Sequence, residues 1–200
     1  MSIDPGRVRE RYERVRAEVG SRVSVVAATK YVSVSDMLAL AEAGVEIVGE
    51  NRAQDLLAKH AAYADRFRWH FIGHLQSRKA KDVNAICELV HSLDSPSAAA
   101  RLEIPALVQV NLSGEASKSC VPPDELEAFL AVVPARVVGL STMPPLTDRP
   151  EASRPYFRRL RQLAESLDLR ELSMGTSQDY RVAAEEGATF VRVGSVLWQG

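Results

Sequence analysis

Short apolar runs alternate along this chain with segments of helical period. Val8, Tyr12, Val15 and Val19 recur three and four residues apart among Arg and Glu, which predicts a first helix closed by Gly20. Behind it, Val25-Val26-Ala27-Ala28-Thr29-Lys30 is an unbroken run of small and β-branched residues ending in lysine. Such a run needs no polar alternation when a strand is buried on both faces. Ser33 and Asp36 form a capping signature, with Val34, Met37, Leu38 and Ala41 on one helical face and Gly44 as the stop. Val45–Val48 is the second strand, and Ala53, Leu56, Leu57 and His60 trace the next helical face.

The alternation continues to the end. Trp69–Ile72 reads as strand three, with Gly73-His74-Leu75-Gln76 as its exit loop and 77–83 as a short basic helix. Leu89–Ser92 is strand four; strand five starts after Pro105 and runs to Asn111. Leu126, Phe129, Leu130 and Val133 mark a helix between Pro123 and Val133, and Arg136–Leu140 is strand six. Tyr156, Leu160, Leu163 and Leu167 share a face of a helix over 153–167; Glu171–Ser173 and Thr189–Val193 are strands seven and eight. Eight strands alternating with helices, without a long linker, predict a single α/β domain over 1–200: a compact (β/α)8 TIM-type barrel with an extra N-terminal helix. An open doubly wound sheet is the alternative, but no G-x-G-x-x-G turn follows strand one.

Barrel enzymes carry their chemistry at the carboxyl ends of the strands and often hold phosphate in the loops after strands seven and eight. Here those loops are Ser173-Met174-Gly175-Thr176-Ser177 and Gly194-Ser195, rich in hydroxyls and open backbone N–H groups. Lys30 on the same rim is expected to be partly desolvated, its amine suited to a Schiff base; the plain alternative is a lysine snorkelling to solvent. Arg192 lies within an apolar strand and needs an acceptor, either a carboxylate across the barrel or a ligand ring. Asn51, His74 and Met143 also fall on this rim, where each has an ordinary structural reading as well.

Composition narrows the class. The chain has 200 residues, 46% hydrophobic and 26% charged, with a net charge of −1, so nothing points to disorder or to a general field for nucleic acid. Cys87 and Cys120 are too few for a disulfide framework and lack metal-ligand spacing, and no apolar leader or membrane-length stretch is present. The expected location is the cytoplasm.

Taken together, Lys30, Gly49-Glu50-Asn51, His70-Phe71-Ile72-Gly73-His74-Leu75-Gln76, Val110-Asn111, Lys118, Leu172-Ser173-Met174-Gly175 and Val191-Arg192-Val193-Gly194 resemble the pyridoxal phosphate homeostasis proteins. These are similar to the barrel domain of alanine racemase-type, fold type III enzymes. The resemblance implies pyridoxal 5'-phosphate (PLP) held by Lys30 as an internal aldimine. Ser177, Gly194 and Ser195 would hold the phosphate, Arg192 would face the pyridine nitrogen, Ser173 would be a further cofactor-binding residue, and Asn51, His74 and Met143 would line the pocket. An arginine does not readily give up a proton, so the ring nitrogen would stay unprotonated and the cofactor would be a poor electron sink.

The implied role is a vitamin B6 carrier or regulator rather than an enzyme, monomeric, with apo PLP-dependent enzymes as recipients and neither nucleic acid nor membrane as partner. A minimal PLP-dependent racemase or lyase with weak activity is the rival. None of Tyr12, Tyr31, Tyr63, Tyr156 and Tyr180 is an evident second base for racemisation. A barrel for another phosphorylated metabolite is a third reading. Two departures stand out against the family: Thr176 where a methionine is usual, and Ser195 where a threonine is usual.

Overall fold

The computed structural model describes residues 3–114 and 120–198; Lys118 lies outside them. The strands are β1 (Ser24–Ala28), β2 (Ile47–Glu50), β3 (Arg68–Phe71), β4 (Leu89–Leu93), β5 (Ala106–Gln109), β6 (Val137–Ser141), β7 (Glu171–Ser173) and β8 (Phe190–Val193). They pair in parallel in chain order, and β8 returns to β1 to close the barrel. The register at that seam sets Val26 beside Arg192, which fixes Arg192 one strand from the segment leading to Lys30.

The helices are α1 (Pro5–Val19), α2 (Met37–Glu42), α3 (Ala53–Tyr63), α4 (Ala80–Asn84), α5 (Pro96–Ala99), α6 (Leu126–Val132), α7 (Arg154–Ser166), α8 (Tyr180–Glu185) and α9 (Ser195–Trp198). The first has a complete start: Asp4 Oδ1 accepts the Arg7 N–H at 2.7 Å and Pro5 opens the helix. Its Val8, Tyr12, Val15 and Val19 are all buried, as the spacing predicts, and it packs against α2, α8 and α9.

Three helical faces differ from the sequence reading. In α2 the buried residues are Met37, Ala39 and Leu40, while Val34 and Leu38 are exposed. The helix begins only at Met37, so Val34 precedes it and does not share its phase. Ser33 Oγ does accept the Asp36 N–H, at 3.1 Å, and so closes the turn before α2. In α3 the inward residues are Ala53, Leu56 and Lys59, with Leu57 exposed. In α7 the buried stripe is Phe157, Leu160 and Ala164, one residue away from Tyr156, Leu163 and Leu167, which flank it half-buried.

A polar ladder occupies the barrel interior. His70 Nδ1 meets His91 Nε2 at 2.9 Å, His91 Nδ1 meets Ser173 Oγ at 2.7 Å, and both imidazoles pack edge-on to Phe190, 5.7 and 5.2 Å between centroids. Burial pushes His70 down to about 4 and His91 well below its ordinary value. Both rings are therefore neutral near pH 7.

Candidate functional site

The carboxyl ends of the strands surround a cavity of about 330 Å³. Lys30 reaches it from the end of β1, Asn51 from β2, Ile72 from β3 and Met143 from β6. Thr176 and Ser177 close the β7 side; Arg192, Gly194 and Ser195 close the β8 side with Trp198. Seven of the residues read from the sequence are thus brought together: Lys30, Asn51, Met143, Ser177, Arg192, Gly194 and Ser195.

Lys30 stands at a corner. Thr29 carbonyl accepts the Val32 N–H at 2.8 Å, forming a turn with Lys30 and Tyr31 at its centre. That turn lifts Lys30 out of the strand, so the side chain is exposed and not desolvated as the apolar run suggests; its Nζ lies 4.8 Å from the Tyr31 ring centroid. A cation over a ring face is held there by the ring quadrupole.

Arg192 is the buried cation of the site, 8% exposed. Its guanidinium donates to Ser173 Oγ and, at 2.9 Å, to the Thr142 carbonyl, both neutral oxygens. Burial pushes it down to about 10, partly countered by the carboxylate of Asp179. A guanidinium only donates, so Ser173 Oγ accepts from Arg192; the same oxygen is hydrogen-bonded to His91 Nδ1, and His91 Nε2 to His70 Nδ1. The ladder runs from the cavity into the barrel and holds Arg192 as a donor.

The loops expected to cradle an anion are the β7 and β8 exits. Ser177 Oγ accepts N–H groups from Gly194 at 3.0 Å and Val196 at 3.4 Å, joining the two loops. Gly175 has φ +90°, and a Cβ there would fall 2.5 Å from the Ala183 Cβ, so only glycine permits this tight return onto α8. Thr176 donates both its N–H, at 2.7 Å, and its hydroxyl, at 3.0 Å, to Asp179 Oδ1. That pair accounts for a threonine here: its side chain closes the loop before α8.

The remaining two residues lie elsewhere. Ser173 is fully buried beneath the cavity floor and acts on Arg192 from within the barrel. His74 Nδ1 pairs with Asp94 Oδ2 at 2.8 Å beside a neighbouring cleft, which it lines together with Asn51, Arg78 and Lys79. The Gly73 turn carries it away from the cavity. Sequence reasoning missed His91 and Thr142, which grip Arg192 or its partner, and Trp198, which walls the cavity; a histidine within the apolar stretch Leu89–Leu93 was the available signal for the first.

Comparison with known proteins points to one family. Residues 3–200 match the family model described as alanine racemase, N-terminal domain. The pyridoxal phosphate homeostasis protein of Aquifex aeolicus is 37% identical over 215 positions, covering 96% of this chain and 94% of the relative. That of Pseudomonas aeruginosa is 41% identical over 172 positions, covering 78% and 75%. The PLP-bound structure of PipY from Synechococcus elongatus PCC7942 superposes with a TM-score of 0.85 at 30% identity, over 96% of this chain and 99% of that one. A lysine/ornithine decarboxylase of Vibrio vulnificus, at 14% identity and TM-score 0.76, shares the fold alone. By these measures the chain belongs to the pyridoxal phosphate homeostasis proteins, a family built on the alanine racemase N-terminal domain.

Proposed function

We propose that this chain binds pyridoxal 5'-phosphate in the rim cavity and serves PLP homeostasis as a carrier or regulator. The observation that carries the reading is the convergence on one cavity of an amine (Lys30), a buried donor (Arg192) and a two-loop anion cradle (Ser177, Gly194, Ser195). Those groups match an aldehyde, a pyridine nitrogen and a phosphate. A volume of about 330 Å³ lies within the range of about 300 to 1000 Å³ usual for small-ligand sites. Asn51 Oδ1 is buried on the cavity wall without a hydrogen-bond partner, an acceptor to which a ring hydroxyl can donate.

PLP supplies an electrophilic aldehyde conjugated to a pyridine ring. Lys30 would be the attachment residue, its amine suited to Schiff-base chemistry with that aldehyde. Ser177 and the Gly194 N–H would hold the phosphate, and Met143 would line the pocket from the β6 side. Ser173 acts one step removed, keeping Arg192 aimed. His74 remains a pocket-lining residue only for a ligand that extends past Asn51 into the neighbouring cleft.

Arg192 favours an unprotonated ring nitrogen, which limits carbanion stabilisation and supports a carrier over a catalyst. Tyr31 is the tyrosine that lines the cavity, and it sits on the same side as Lys30, with the lysine Nζ over its ring; Tyr12 and Tyr180 are buried against Glu46 and Glu18. We place the protein in the cytoplasm as a monomer that hands PLP to apo enzymes; no helix of the described residues is long and apolar enough to cross a membrane.

The deciding experiment is the visible spectrum of the purified protein with added PLP, for wild type and Lys30→Ala, followed by borohydride reduction and peptide mapping. A band lost in the variant and a reduced adduct on Lys30 are the expected results. Adducts scattered over surface lysines would overturn the reading. Single-enantiomer amino acids in deuterated water then separate carrier from enzyme, since protein-dependent α-proton exchange at a useful rate would favour the racemase or lyase.

A further inference from the structure

A buried ion pair stands directly behind the attachment residue. Lys59, on the inward face of α3, is 4% exposed and Glu50, at the end of β2, is fully buried. Lys59 Nζ donates to Glu50 Oε1 at 2.5 Å and to the Thr29 carbonyl at 2.7 Å, and the Thr29 hydroxyl donates to the same Glu50 oxygen. Among the described residues Glu50 Oε2 has no hydrogen-bond partner, and Lys59 is the cation paired with this carboxylate.

The placement matters because Thr29 carbonyl is also the acceptor that closes the turn containing Lys30, through the Val32 N–H at 2.8 Å. Glu50 in turn precedes Asn51, whose side chain lines the cavity. One ammonium therefore ties three elements, α3, the exit of β1 and the exit of β2, at the two points from which Lys30 and Asn51 project. An ordinary packing role would be met by an apolar residue at position 59; burying two charges is costly and, by itself, stabilises little over an apolar pair.

We propose that Lys59 and Glu50 are positioning residues for cofactor attachment, fixing the Thr29–Val32 turn so that the Lys30 amine is presented to the cavity. The inference rests on Lys30 being the attachment residue. It extends that reading to a pair that never touches the ligand. A carbonyl held by both an ammonium and an amide cannot rotate, and its loss frees the turn without opening the barrel.

The test is the double variant Lys59→Met/Glu50→Gln, which removes both charges together and leaves neither buried alone. Two readouts are taken on the whole chain: amide hydrogen exchange at Val32 against Val108 in β5, and the rate at which added PLP becomes borohydride-trapped on Lys30. The expected result is exchange at Val32 faster by about tenfold or more with Val108 unchanged, and trapping on Lys30 slower by about tenfold, the loss expected for one charge-assisted hydrogen bond. Wild-type exchange and wild-type trapping in a folded double variant would overturn the proposal. Thr29→Val, which keeps the carbonyl and its bond to Lys59, is expected to trap PLP as wild type does; an equal loss there would assign the effect to the hydroxyl and also overturn it. Should the double variant not fold, Lys59→Gln/Glu50→Gln, which also removes both charges, is read by the same two measurements. Failure of the wild-type protein to trap PLP on Lys30 would sink the functional reading while leaving the exchange comparison to judge the clamp.

Discussion

Ser177 Oγ receives the Gly194 N–H at 3.0 Å, so the exits of β7 and β8, which are distant in sequence, share one hydrogen bond at the cavity wall. In the proposed reading the same hydroxyl and the same amide are the groups offered to a phosphate.

Ser177→Ala is therefore expected to weaken PLP binding by about tenfold to a hundredfold, the effect of losing one charge-assisted hydrogen bond. Pyridoxal, which lacks the phosphate, should bind the variant and the wild type alike. Absorbance titrations with both ligands check this, and an equal loss for pyridoxal would place Ser177 outside the phosphate site.

The histidine ladder sets an acid limit on stability. Burial holds His70 at about 4 and pushes His91 well below its ordinary value, so between about 4 and 6.5 the unfolded chain binds protons that the folded chain refuses. Stability is complete above about pH 6.5 and falls with falling pH; the gap between about 4 and 6.5 at His70 amounts to about 3 kcal/mol. His70→Asn, which keeps an acceptor for His91 but does not titrate, should flatten the profile of urea midpoints from pH 7.5 to 4.5. An unchanged slope would remove His70 from the account.

Gly73 admits no side chain. A Cβ there would stand 2.0 Å from the Asn51 carbonyl oxygen, so the exits of β2 and β3 would have to separate. Gly73→Ala is expected to destabilise the protein by about 3 kcal/mol and to displace Asn51 from the cavity. Thermal unfolding together with PLP titration measures both effects; a stable variant with weakened binding alone would show that the loop yields and the barrel does not.

Arg192 decides how far the site can do chemistry. Arg192→Glu places an acid where a proton can be shared with a ring nitrogen, and α-proton exchange of bound amino acids should rise by about tenfold or more. Deuterium incorporation at the α-carbon reports it. No increase would mean that the missing second base, and not the arginine, limits catalysis.

Much of this was legible in the chain itself. Eight apolar runs separated by helical periods determined a closed barrel, because strands buried on both faces and joined by helices have few other ways to cover themselves. Lys30, Ser177, Arg192 and Gly194 were readable because each stands at a strand exit or interrupts an apolar run. Phase within the short helices was not: α2, with six residues, is shorter than the window over which a period is sensed, and α3, with eleven, only just fills it, so Leu38 and Leu57 face solvent.

Only the tertiary structure decided which polar residues meet. Nothing in the sequence marks Lys59, yet closure of the barrel sets it beside Glu50 and Thr29. His91 and Ser173, 82 residues apart, share a proton because β4 and β7 face one another across the interior. His74 lies in sequence like a ligand of the rim, but the turn at Gly73 points it to Asp94. Local pattern sets what forms a strand or a helix; contact across the barrel depends on closure, which no local window contains.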